Sequence, residues 1–352
     1  MTDQIEFNVW NKWDPLKTCI VGSSVNPDYF EHVKNKEIKD KLTKMLIETQ
    51  EDMNYFAEVL KQHQVHVIQE QYNPDDRLHP DKKADRRHMI SLYPRDRAAV
   101  LGNQFVFDNM HTARDMYKYL NKQLIETRHE PWAKLMKVAW EGDHTLFMAS
   151  WTMVGTDLFI DADPSVLNPA FNGKEKIINW VEEYVPGTKV HWLEVGGHTD
   201  GTFHTCKPGV IVSLYDIQKY EETFPNWDVL YLPDQHWFGI KDWVKIRSEN
   251  KGKWWMPGEE NNKQMTKFVN TWLDEWLGYV EETVFDINII MINDHTACVT
   301  GYHKEVFDYF KKHKIEPIIV PLRHRYFWDG GLHCSSCDIN RVGGQQSYIN
   351  YT

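Results

Sequence analysis

Asn288-Ile289-Ile290-Met291-Ile292-Asn293-Asp294-His295-Thr296-Ala297-Cys298-Val299-Thr300 decides how this chain is organised. Its first five residues read as a strand. Asn293-Asp294 supplies turn chemistry, and Thr296 to Thr300 reads as the returning strand. Val306, Phe307 and Phe310 then fall at helical spacing, and Pro317-Ile318-Ile319-Val320 closes as another strand. The order is strand, hairpin, strand, helix, strand.

The same order recurs upstream. Trp151 to Val154, the turn Gly155-Thr156 and Asp157 to Ile160 form a hairpin. Ile177, Ile178 and Val181 mark a helical face that Pro186-Gly187 terminates, and Val190 to Val195 alternates as a strand. Thr202 to Cys206, the turn Lys207-Pro208-Gly209, Val210 to Ser213 and Val229 to Leu232 make a further copy. Ala98 to Phe107 is a hairpin about Gly102-Asn103. The first copy is Leu16 to Val21, a long helix, and Val65 to Gln69. Leu42, Met45, Leu46, Met53, Phe56 and Leu60 form that helix's buried face. There are thus about five strand-rich modules, none able to bury its apolar face alone, so neighbours must stack. Stacked units joined by short loops can close into a ring that removes sheet edges. Two ordinary open α/β sheets are the competing arrangement.

Two segments fall outside the modules. Tyr72 to Arg87 is polar and reads as a surface loop. Pro233 to Glu282 is a long insertion carrying a helical stripe of Met265, Phe268, Val269, Trp272, Leu273, Trp276 and Leu277. Packing onto the body is the first reading of that stripe, and a lid over a site is the second. The whole chain reads as one domain with this segment, about 233–286, inserted.

Composition bounds the function. In 352 residues Lys plus Arg total 40 and Asp plus Glu total 51, a formal charge of −11. So acidic a chain is a poor generic binder of nucleic acid or of anionic membrane, and suits a cationic ligand. No apolar run reaches bilayer-spanning length, and Met1 to Glu6 lacks the basic and apolar regions of a signal peptide. Five scattered cysteines form no disulfide framework and fit a reducing, cytoplasmic compartment.

Three clusters carry candidate chemistry. The densest is Asp329-Gly330-Gly331-Leu332-His333-Cys334-Ser335-Ser336-Cys337-Asp338, where paired glycines permit backbone conformations closed to other residues. Cys334 reads as a nucleophile, as half of a zinc or redox Cys-x-x-Cys with Cys337, or as an inert core thiol. Zinc needs a second close pair, which the sequence lacks. Taken alone, inert thiols rank first and the nucleophile second. The second cluster is Gly196-Gly197-His198-Thr199-Asp200-Gly201. In an extended segment, residues two apart share a face, so His198 and Asp200 would address one site. The third is Tyr93-Pro94-Arg95-Asp96, where Asp96 is a ligand carboxylate, a turn residue or the partner of Arg95.

Taken together, these clusters resemble the amidinotransferase family, the glycine and inosamine-phosphate amidinotransferases of the wider guanidino-modifying superfamily. The resemblance starts at Trp13-Asp14-Pro15-Leu16 and Ile20-Val21-Gly22. It runs through Pro94-Arg95-Asp96, His198-x-Asp200-x-Thr202-Phe203 and Gly209 to Ser213. It ends with Gly330-Gly331-x-His333-Cys334-x-x-Cys337-Asp338 and Gln346-Ser347-Tyr348. It implies a five-bladed α/β-propeller of ββαβ modules. It also implies arginine as donor, an amine acceptor, ornithine as product, no cofactor or metal, and the homodimer common in the family. By resemblance Cys334 is the nucleophile, His198 the acid–base group, and Asp96 and Asp200 the carboxylates that grip a guanidinium. The family's carboxylate partner for the histidine falls at Phe147 in an ungapped match, with Asp143 the nearest carboxylate upstream. The family's arginine for the donor carboxylate falls at Ile217. Gly197 stands where the glycine enzymes carry a bulky residue, which implies a larger acceptor. Hydrolysis of the same cysteine adduct, and a propeller that binds guanidino compounds without turnover, are the alternative functions.

Overall fold

The computed structural model describes residues 6–31, 33–69, 92–107, 148–161, 173–193, 199–214, 220–232, 259, 262–265, 267, 287–328 and 330–349. Its first module is strand β1 (Leu16–Val21), helix α1 (Lys36–Gln62) and strand β2 (His66–Gln69). Asn35 caps α1 by accepting from the Ile38 amide at 3.3 Å. All six residues assigned to its inner face are buried.

Four further modules follow. Helix α2 (Pro94–Arg97) leads into β3 (Ala98–Leu101) and β4 (Gln104–Phe107). Next come β5 (Trp151–Val154), β6 (Asp157–Asp161), α3 (Gly173–Tyr184) and β7 (Lys189–Leu193). Then β8 (Phe203–Lys207), β9 (Val210–Ser213), α4 (Tyr220–Thr223) and β10 (Asp228–Tyr231). The last comprises β11 (Ile290–Asn293), β12 (Thr296–Val299), α5 (Lys304–Lys312) and β13 (Glu316–Ile319). After it stand α6 (Arg325–Trp328) and β14 (Ser336–Arg341). In the three complete modules the hairpin is antiparallel and the helix returns the chain to a parallel third strand. Gly102 and Gly155, at hairpin tips, have φ of 60° and 65°, a region that favours glycine.

The described strands form five small sheets, not two large ones. None has more than three strands. The first sheet is completed from the far end of the chain, because β14 pairs antiparallel with β1 while β2 pairs parallel on its other side. Apolar clusters join the sheets in sequence. One spans β1, β14, β3 to β6 and α3. Phe159 of β6 packs with Phe203 and Ile211 of β8 and β9 in the next. Val210 and Val212 share a third with Met291, Val299 and Phe310. Ile290, Ile292 and Cys298 close back onto α1 and β1 in the fourth.

The loop expected at 72–87 lies outside the described residues, as does most of the insertion. Its Met265 is fully buried in the cluster with α1, and Glu259 pairs with Lys41 of that helix. At this point the insertion packs onto the body. The rest of its apolar stripe lies outside the described residues. Among those residues, no helix is long and apolar enough to cross a membrane.

Candidate active site

Cys334 sits in the turn before β14 and is 2% exposed. Asn288, just ahead of β11, grips it twice. The Asn288 Oδ1 accepts from the Cys334 amide at 3.0 Å, and its Nδ2 donates to Sγ at 2.9 Å. Gly331 makes this possible. A Cβ there would lie 2.7 Å from the Asn288 Oδ1, and one at Gly330 would lie 2.6 Å from the Tyr93 ring. Neither glycine has a φ in the left-handed region. Both are needed for close approach instead.

Asp200 reaches the same sulfur from another module. It lies in the 3-10 turn Thr199–Gly201, not in an extended segment, so the alternation argument fails at this turn. Thr199 fastens the turn through its Oγ1, 2.9 Å from the Ala149 carbonyl and 2.8 Å from the Thr152 Oγ1. Asp200 Oδ2 stands 3.6 Å from Cys334 Sγ and accepts from His333 Nδ1 at 2.8 Å. Burial first, then Arg95 and Lys12, push the His333 imidazole down to about 4 against the pull of Asp200. His333 is therefore neutral near pH 7, and its Nδ1 carries the proton that a carboxylate can accept.

An interior charge cluster underlies the turn. Asp338 takes Arg95 on one oxygen and the Arg341 Nε at 2.7 Å on the other. Burial alone would raise its carboxyl, but the two guanidinium groups hold it well below the carboxylate range. Arg341, 1% exposed, also donates to the carbonyls of Asp14 at 2.6 Å and Met291 at 2.9 Å. It thereby ties the N-terminal loop and β11 to β14. The Arg95 side chain donates to the Ser336 carbonyl at 3.2 Å, and its amide to that of Cys334 at 3.4 Å. Asp338 is thus a carboxylate partner of Arg95.

Of the residues singled out in sequence, the structure brings Cys334 and Asp200 together. Asp96 follows Arg95 in α2, beside the Cys334 turn. His198 and Asp143 lie outside the described residues, as do Gly197, Phe147 and Ile217. Cys337 is a buried strand thiol pushed up to about 12, chiefly by burial, and none of the five cysteines is bridged. Among the described residues no three His, Cys, Asp or Glu side chains converge as a metal site. Sequence reasoning missed Asn288 and the role of His333. Their only signals were a polar residue heading an apolar run and a histidine beside the suspected nucleophile.

The fold and the site define an α/β protein with a buried thiol held by an amide and a carboxylate. No family profile matches the chain. A mitochondrial glycine amidinotransferase of Gallus gallus is 23% identical over 408 residues, covering 97% of this chain and 84% of that protein. An L-arginine:L-lysine amidinotransferase of Pseudomonas savastanoi pv. phaseolicola is 24% identical over 215 residues, 59% of this chain and 48% of that protein. The solved inosamine-phosphate amidinotransferase of Streptomyces griseus superposes with a TM-score of 0.61 at 16% identity, covering 97% of this chain and 99% of that one. That last likeness concerns the fold. The relatives support the amidinotransferase family for this chain, and they are transferases.

Proposed function

We propose that this amidinotransferase moves an amidino group from arginine to an amine through an amidino-cysteine on Cys334, releasing ornithine. The observation that carries the reading is Cys334 Sγ, 2.9 Å from the Asn288 Nδ2 and 3.6 Å from the Asp200 carboxylate. A carboxylate beside the sulfur can hold a planar guanidinium by paired N–H···O bonds and so present its carbon to the thiolate. The sulfur attacks that carbon. As the tetrahedral adduct collapses, the C–N bond to the ornithine nitrogen breaks and that nitrogen takes a proton from His198. The acceptor amine then attacks the amidino carbon, gives its proton back to His198, and the thiolate leaves. Asp96 is assigned as the second guanidinium carboxylate and Asp143 as the partner of His198. No cofactor enters these steps.

Five sheets whose apolar clusters link neighbours and return to the first support a five-bladed propeller, with the site at its centre. The relatives are named for different amino acids, glycine in one and arginine and lysine in another. Gly197 favours an acceptor larger than glycine. Five unbridged thiols support a reducing compartment, which we take to be the cytoplasm.

Rapid acid quench with arginine, intact mass and peptide mapping test the reading. An amidino adduct on Cys334, with one equivalent of ornithine per site when no amine is supplied and continued ornithine formation once an amine is added, is the expected result. Product beyond one equivalent per site without added amine would make the enzyme a hydrolase. Absence of both adduct and ornithine would remove the arginine reading.

A further inference from the structure

His333 precedes Cys334 in the same turn and is 3% exposed. Its backbone is held at both ends. The His333 amide donates to the Asn288 carbonyl at 3.4 Å, and its carbonyl accepts from the Ser336 amide at 3.1 Å. Its side chain crosses to another module, where Nδ1 donates to Asp200 Oδ2 at 2.8 Å. That same oxygen lies 3.6 Å from Cys334 Sγ. One turn thus carries both the sulfur and the donor that fixes the carboxylate facing it. A second ring braces the first. The wholly buried His204 of β8 meets His333 edge-on, with centroids 5.8 Å and planes 84° apart. Turning the His333 ring over about Cβ–Cγ would set a carbon, not Nδ1, against Asp200.

The carboxylate needs this restraint. Once Cys334 ionises, two like charges face each other at 3.6 Å in a buried site, and their repulsion drives the carboxylate away from the sulfur. We propose that His333 is a positioning residue that holds the Asp200 carboxylate against the Cys334 thiolate, so that a guanidinium gripped there meets the sulfur. The inference rests on the guanidino chemistry proposed above for Asp200. Burial keeps the imidazole neutral near pH 7. A neutral N–H fixes the oxygen and leaves the carboxylate its charge for a cationic guanidinium, whereas an ammonium in the same place would offset that charge.

The test follows amidino-adduct formation on Cys334 against arginine concentration, by rapid quench and mass, in His333 variants. Iodoacetamide alkylation of the same sulfur is the control, because a neutral reagent makes no use of the carboxylate. His333→Leu removes the donor. Its maximal rate with arginine should fall roughly 10- to 100-fold, the loss of one hydrogen bond to a charged group. Half-saturation should change less than about threefold, because a displaced carboxylate still pairs with the cation and only the alignment is lost. Alkylation should stay within about threefold of the parent. Asn carries its amide nitrogen on Cγ, as imidazole carries Nδ1, so His333→Asn should recover most of the arginine rate. His333→Gln sets its amide one carbon further out and should stay as slow as His333→Leu. If His333→Leu does not fold, His333→Gln carries the comparison with His333→Asn. Parent-like arginine rates without the donor, equal slowing of both reactions, or a His333→Asn no faster than His333→Gln overturns the proposal and leaves the guanidino reading standing. No adduct with arginine in the parent protein overturns both.

Discussion

Asn288→Ala removes both contacts to Cys334, and the structure sets the size of the effect. The Nδ2–H donates to Sγ at 2.9 Å in a buried turn. A hydrogen bond to a charged group contributes about 1.5–3 kcal/mol, and one pKa unit is about 1.4 kcal/mol. If the bond is made chiefly to the thiolate, its loss should raise the Cys334 ionisation by about one to two units. At pH 7 the thiolate population and the alkylation rate should then fall roughly 10- to 100-fold. The lost Oδ1 acceptor is a separate cost. It leaves the Cys334 amide without the partner it has at 3.0 Å, and stability should fall by about 1–3 kcal/mol. Asn288→Asp divides the two effects, because it keeps Oδ1 but sets a second oxygen against the sulfur. Its thiolate should be suppressed at least as strongly as in Asn288→Ala. The assay is iodoacetamide alkylation against pH, read by mass on the Cys334 peptide. The other four cysteines are buried with raised ionisation, so they contribute little background. An alkylation midpoint in Asn288→Ala within about 0.3 unit of the parent would refute the argument that Asn288 stabilises the thiolate.

Asp338→Asn should destabilise the fold by about 3–5 kcal/mol, because it leaves the buried Arg95 and Arg341 guanidinium groups short of an anion. Urea denaturation midpoints measure this, and a loss under about 1 kcal/mol would mean the charge cluster relaxes. His333 is held near 4, below the ordinary histidine value of 6.5, so the unfolded chain binds its proton first. The stability this gives is complete above about pH 6.5 and is lost as pH falls toward 4, on the order of 3 kcal/mol in all. The difference between the parent and His333→Gln in unfolding free energy should therefore shrink across that window, and a constant difference would contradict it.

The local part of the architecture was legible in the sequence because it is a matter of periodicity. Alternating apolar residues about Gly155 or Asn293-Asp294 specify hairpins whatever surrounds them, and the strands fall within two residues of the expected ends at most. The Gly-Gly-x-His-Cys turn stood out because its residue types are uncommon together. The close approach that requires its glycines shows only in the packed structure, which sets Tyr93 and Asn288 against them.

What the sequence determined by itself is the module order, the α1 core face and the cysteine and carboxylate that meet. Tertiary structure alone decided which charges share a site. Asn288 and Cys334 are 46 residues apart, and Arg95 and Asp338 are 243 apart. The chain closes its first sheet with β14, which carries Asp338 and Arg341 beneath the Cys334 turn and draws Arg95 to them. Burial likewise separates Lys12 from any ordinary surface lysine. Periodicity encodes which face of an element turns inward. Pairing and desolvation depend on what lies across the interior, and that is fixed only when distant segments pack.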